Sequence, residues 1–272
     1  MEQYGREVVL YEGPVTGRTW QLQGRGQHEH PVTLMRSPAG LFGTNLNVTR
    51  RSLPRSRRQQ RVAVRPGALP LEMTFDVHMS TPQETQRALM QFVSDWPDDG
   101  TPGVLRFNAG GGRWKALDVY RTDRIEDMLG IAPLAVGKAK IMIVASTDDP
   151  YPRGDYSPQV QKVDAAGTAS FTVRNDGEVA VAPRVVWQGA ASTLTFGGDV
   201  AFTTKVTGDS LIDLDAEQLT VTDAATTRPL ITSWDKSPAL MVEPGGQATF
   251  TVTSTVAGTL EAHLVPQFER LY

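Results

Sequence analysis

At 272 residues, with 40% apolar and 21% charged side chains, the chain can bury one large or two ordinary cores and lacks the charge excess of a disordered protein. A net charge of −3 argues against a general nucleic-acid binder. The absence of cysteine excludes disulfide frameworks, thiol catalysis and thiolate metal sites, and fits synthesis in a reducing cytoplasm.

In chain order, Val8–Tyr11 and Thr19–Leu22 read as short strands separated by Gly13-Pro14 and Gly17. Met1–Leu10 has no apolar segment of the signal-peptide kind. His28 to Gly43 is broken by Pro31, Pro38, Gly40 and Gly43 and reads as a loop with at most one short strand. Arg50 to Gly67 is rich in arginine. From Leu69 to Met79, Leu69, Leu71, Met73, Phe75, Val77 and Met79 alternate with polar residues or proline, which puts the apolar set on one face of a strand.

A helix over 81–96 follows. Thr81-Pro82-Gln83-Glu84 is a capping box with proline at the first helical position, and Ala88, Leu89, Phe92, Val93 and Trp96 form one apolar stripe. Pro97 and Gly100 end it. Val104–Phe107, Trp114–Tyr120 and Lys140–Ala145 return to strands, with Gly110-Gly111-Gly112 as a turn. The longest apolar runs, such as Ile141–Ala145, fall far short of the ~20 residues that span a bilayer, so no membrane insertion is expected.

Residues 148–158, with three prolines, read as a linker between an N-terminal β domain over 1–150 and a β-sandwich over 156–272. Charge differs between the halves: residues 1–150 carry 19 Lys+Arg against 16 Asp+Glu, and residues 151–272 carry 8 against 14. In the second half, alternation around Phe171, Val185 to Trp187, Leu194 to Phe196, Phe202 to Val206, Ile212 to Leu214, Leu219 to Val221, Phe250 and Leu260 to Leu264 predicts short strands at regular spacing. Asn175-Asp176-Gly177 and Pro244-Gly245-Gly246 supply tight turns.

Signatures of catalysis, metal or cofactor are weak. His28-Glu29-His30 could share a metal only if its loop curled, and a solvated loop explains it as well. Asp76 and His78 share the outward face of one strand but have no nucleophile motif beside them. Asp148-Asp149 and Asp213/Asp215 could serve a hydrolase if held about 5 or 6.5–9.5 Å apart, and the second pair is otherwise expected on the solvent face of a sheet. The glycines before Arg113 lack the Walker spacing. Trp96 and Trp187 fall on buried positions, which leaves Trp234, beside Asp235-Lys236, as the tryptophan to test for ligand contact.

The densest feature is Arg50, Arg51, Arg55, Arg57, Arg58, Arg61 and Arg65. Such a run can pair with carboxylates of a partner subunit, bind phosphates, or face solvent. It lacks interleaved aromatics, which counts against stacking on single strands.

The order of these features resembles the distal tail proteins of long, non-contractile-tailed bacteriophages. The resemblance rests on Leu69–Trp96, the linker Asp149-Pro150-Tyr151, Asn175-Asp176-Gly177 with Pro183, Gly208 to Asp213, and Pro244-Gly245-Gly246 before Thr249 to Val252. It implies a split-barrel-like N-terminal domain with one α-helix and a galectin-like C-terminal sandwich. It also implies a ring, with six copies expected, at the distal tail tip of the virion, assembled in the host cytoplasm. Expected partners are further copies of this chain, the tail tube protein, the tape measure protein and a tip hub or fibre protein, with phage DNA passing through without specific binding. No catalytic or cofactor residue carries over. The alternative is a glycan-binding sandwich on a cell or virion surface.

Overall fold

A computed structural model describes residues 7–35, 46–52, 59–66, 68–108, 113–130, 132–216, 218–223, 226–229 and 239–269. The chain divides into two units, Met1–Arg153 with Glu269–Tyr272, and Gly154–Phe268.

In the first unit the strands are β1 (Val8–Glu12), β2 (Thr19–Gln23), β3 (Val32–Leu34), β4 (Leu46–Ser52), β5 (Gln59–Pro66) and β6 (Leu71–His78). Helix α1 (Pro82–Ser94) follows, then β7 (Gly103–Asn108), β8 (Trp114–Arg121), β9 (Glu126–Asp127), the one-turn α2 (Pro133–Val136) and β10 (Lys138–Ser146). The turn expected at Gly110 to Gly112 lies outside the described residues. The main path runs β2-β1-β7-β8-β10-β6-β3. Its end strands β2 and β3 lie against each other, so the sheet curls into a nearly closed barrel.

The alternation in β6 sends Leu71, Met73, Phe75 and Val77 into the core, and Ile141 and Ile143 of β10 join them from the paired strand. Helix α1 forms where the capping box predicts: Thr81 Oγ1 accepts from the Glu84 amide at 3.2 Å, and the Glu84 carboxylate accepts from the Thr81 amide at 3.2 Å. The helix stops at Ser94, two residues short of the expected end, with Asp95 as its C-cap. Its apolar stripe plugs the barrel. Phe92 meets Tyr11, Trp20, Phe75 and Trp96 edge-on, and Tyr11 stacks on Trp96 with centroids 4.1 Å apart.

Strands β4 and β5 form a separate two-stranded antiparallel ribbon, in register from Leu46↔Pro66 to Ser52↔Gln59 with an irregularity at Thr49/Arg50. Among the described residues they pair with no third strand. The sequence shows this stretch only as a charge run.

The two-residue β11 (Arg153–Gly154) leads into the second unit. There the strands are β12 (Gln159–Val163), β13 (Thr168–Arg174), β14 (Arg184–Gly189), β15 (Ser192–Gly198), β16 (Phe202–Val206), β17 (Ser210–Asp213), β18 (Thr220–Asp223), β19 (Thr227–Pro229), β20 (Gln247–Ser254) and β21 (Gly258–His263). They make a sheet of order β12-β21-β14-β17-β18-β19 and a second of order β13-β20-β15-β16. One core of Phe171, Trp187, Leu194, Phe196, Ile212, Phe250, Val252 and Leu260 lies between them, so the unit is a β-sandwich. Strands β12 and β19 add to those read from the sequence.

Candidate functional site

Four of the seven clustered arginines lie on the ribbon. Arg50 and Arg51 are on β4, Arg61 and Arg65 are on β5, and the register sets Arg50 opposite Arg61 and Asn47 opposite Arg65. Arg55, Arg57 and Arg58 belong to the connection between the strands and lie outside the described residues, as does Trp234.

Several of the other candidates make structural contacts. His78 Nδ1 sits 2.9 Å from the Gly137 carbonyl, holding the end of β6 to the turn after α2. Among the described residues no group of three or more His, Cys, Asp or Glu could hold a metal ion. Asp148 accepts from the Tyr120 hydroxyl at 2.8 Å, and Asp149 accepts from the Tyr151 amide at 3.0 Å. The Asp148 hydrogen bond, with burial second, raises the Tyr120 phenol above its usual range.

The expectation for Asp213 needs correction. It does not lie on a solvent face but is buried, pairs with Arg184 at 2.9 Å and accepts from the Asp215 amide at 2.9 Å. A carboxylate can sit there because a guanidinium and a backbone N–H compensate its desolvation.

The most connected polar group of the barrel unit is one that sequence reading passes over. Asp95, fully buried, accepts from the Trp20 indole at 2.7 Å, the Thr16 amide at 2.9 Å and the Thr16 hydroxyl at 2.8 Å. Its backbone carbonyl accepts from the Tyr11 hydroxyl. Burial first, and the Asp95 charge second, raise the Tyr11 phenol far above its ordinary value. Both phenol shifts lead away from neutrality, so these groups hold structure and are not poised for proton transfer at neutral pH. The partners of Asp95 are 75 to 84 residues away in sequence, and no local pattern announces them.

No protein-family model and no curated protein matches the chain. Solved structures do. The chain is similar to the Dit protein of phage SPP1, described as a paradigm of the hub adsorption apparatus in phages that infect Gram-positive bacteria. That match has 14% identity and a TM-score of 0.54, covering 96% of this chain and 99% of that one. It is also similar to a chain of the phage p2 baseplate in its activated, strontium-bound conformation, at 11% identity and a TM-score of 0.52, covering 96% and 99%. At these identities the likeness is one of fold. This chain shares, over nearly its whole length, the fold of phage tail-hub and baseplate components.

Proposed function

We propose that the protein is a structural component of the distal tip of a long, non-contractile phage tail, where copies close into a ring, six by expectation, that joins the tail tube to the tip hub or fibre. The observation that carries this reading is the end-to-end fold match to the SPP1 hub protein, across both the plugged barrel and the sandwich. The role is assembly, not catalysis. The ring is built inside the host cell, contacts the tape measure protein, and lets DNA pass without specific binding.

The ribbon supplies the contact. A two-stranded ribbon that pairs with no third strand among the described residues is marginal in water and gains stability from a partner surface. Seven arginines between Arg50 and Arg65 suit pairing with carboxylates on the next copy. Such a contact is heterologous, with different surfaces meeting, and repeated rotation closes it into a ring. The outer face of β6, with Glu72, Thr74 and Asp76, is proposed to lie near that contact. Replacing Arg55, Arg57, Arg58 and Arg61 with glutamate is expected to abolish assembly while the far-ultraviolet circular dichroism stays that of the parent. Normal assembly of this variant would remove the ribbon from the contact.

A further inference from the structure

Consecutive strands β12 and β13 belong to opposite sheets of the sandwich. The turn Asp164–Gly167 reverses the chain, with the Gly167 amide donating to the Asp164 carbonyl at 2.9 Å. The strands then run past each other without forming a backbone ladder; β12 pairs only with β21, and β13 only with β20, among the described residues. Two glutamine side chains bridge the space between them. The Gln159 amide donates to the Thr172 carbonyl and accepts from the Thr172 amide at 3.3 Å. The Gln161 amide does the same at Ser170, donating to its carbonyl and accepting from its N–H at 3.2 Å.

A primary amide carries the same donor and acceptor as a peptide group. Two of them, spaced two residues apart on β12, match the outward-pointing groups of β13, which also recur every second residue. The geometry points to a side-chain seam: Gln159 and Gln161 stand in for a missing strand, close this side of the sandwich, and make the β13 edge unavailable to a strand from another molecule. An open edge displays unpaired N–H and C=O groups that template such pairing. Here the groups at Ser170 and Thr172 are already paired within the chain. Blocking strand addition at β13 serves any arrangement that concentrates copies of the sandwich, and it does not depend on the ribbon or the ring.

The test is amide hydrogen exchange on the full chain. In the parent, the Ser170 and Thr172 amides are expected to be protected although β13 has no backbone neighbour on that side. In Gln159→Ala/Gln161→Ala their protection falls by about tenfold, the loss of one hydrogen bond each, while the Phe171 amide, directed at β20, keeps its own. A second variant guards against general loosening. In Gln159→Glu/Gln161→Glu, a carboxylate accepts but cannot donate, whereas a protonated carboxyl does both. The carboxylate still accepts from the Ser170 and Thr172 N–H groups, so their protection in the glutamate variant is expected to stay above that of the alanine variant while the donation to their carbonyls is lost. Parent amides that exchange as freely as an open edge would overturn the seam. So would protection that survives in the alanine variant, or a glutamate variant whose Ser170 and Thr172 amides exchange as fast as those of the alanine variant.

Discussion

Replacing Asp95 with alanine tests the polar anchor of the barrel most severely. The carboxylate is fully buried and holds three donors, the Trp20 indole N–H and the N–H and O–H of Thr16, at 2.7 to 2.9 Å. Alanine leaves the buried indole donor without a partner and frees the β1–β2 turn from the end of α1. An unsatisfied buried donor costs about 1–3 kcal/mol and a hydrogen bond to a charged group contributes about 1.5–3 kcal/mol, so a loss of about 3–5 kcal/mol is expected for the three bonds together. For a unit of this size that is roughly 10 °C in Tm. Because the chain has two units, the assay must report on the barrel alone. Hydrogen exchange at Phe75 and Ile143 follows the barrel, and the same measurement at Phe171 and Phe250 serves as the control. A loss below about 1 kcal/mol at the barrel amides would mean that the three bonds contribute little beyond water and that Asp95 does not anchor the barrel. The milder substitution Asp95→Asn keeps one acceptor and loses the charge, so its stability is expected to fall between those of the parent and the alanine variant.

Three further outcomes follow from the same contacts. A Cβ at Gly13 would overlap the Asp95 carboxylate, so Gly13→Ala costs about 1–3 kcal/mol in the parent and markedly less in the Asp95→Ala background, which a double-mutant cycle measures. A Cβ at Gly258 would overlap the Trp187 ring, so Gly258→Ala lowers the sandwich transition and leaves barrel exchange unchanged. Hydrogen bonds from Ser80 and Thr81 lower the Glu84 carboxyl below its usual pKa. The folded pKa lies below the unfolded one, so this contribution is present above the unfolded value and lost as pH falls through the folded value. Glu84→Gln therefore flattens the acid limb of α1 stability, measured as exchange of the first-turn amides between roughly pH 5 and pH 3.

The parts of the fold legible in the sequence are those written in local periodicity. The two-residue alternation of Leu71 to Val77, followed at once by Thr81-Pro82-Gln83-Glu84, specifies a buried strand leading into a capped helix, and both form there. Strand β12 escapes such reading because Gln159 and Gln161 occupy the positions where an inward apolar set would be sought, and they serve by their amides and not by burial. The ribbon escapes it too, since seven arginines mask the strand signal of Val62 and Val64. Asp213 departs from the expected solvent-facing position because it is buried at the end of β17, where Arg184 pairs with it. Asp95 is invisible to local reading because its role depends on residues brought from 75 to 84 positions away. Charge clustering alone points to the candidate site. That Arg50, Arg51, Arg61 and Arg65 sit on a two-stranded ribbon is a property of pairing, which only the fold displays.

On the proposed function, copies of this chain close into a ring through the arginine ribbon. The direct measurement is the mass of the purified protein by light scattering across a range of concentrations, with negative-stain imaging of the same fractions. The account predicts closed rings of one subunit number for the parent, and single chains of 29.7 kDa for the variant with glutamate at positions 55, 57, 58 and 61. A parent that stays at 29.7 kDa at every concentration, or that grows into open filaments, would contradict it.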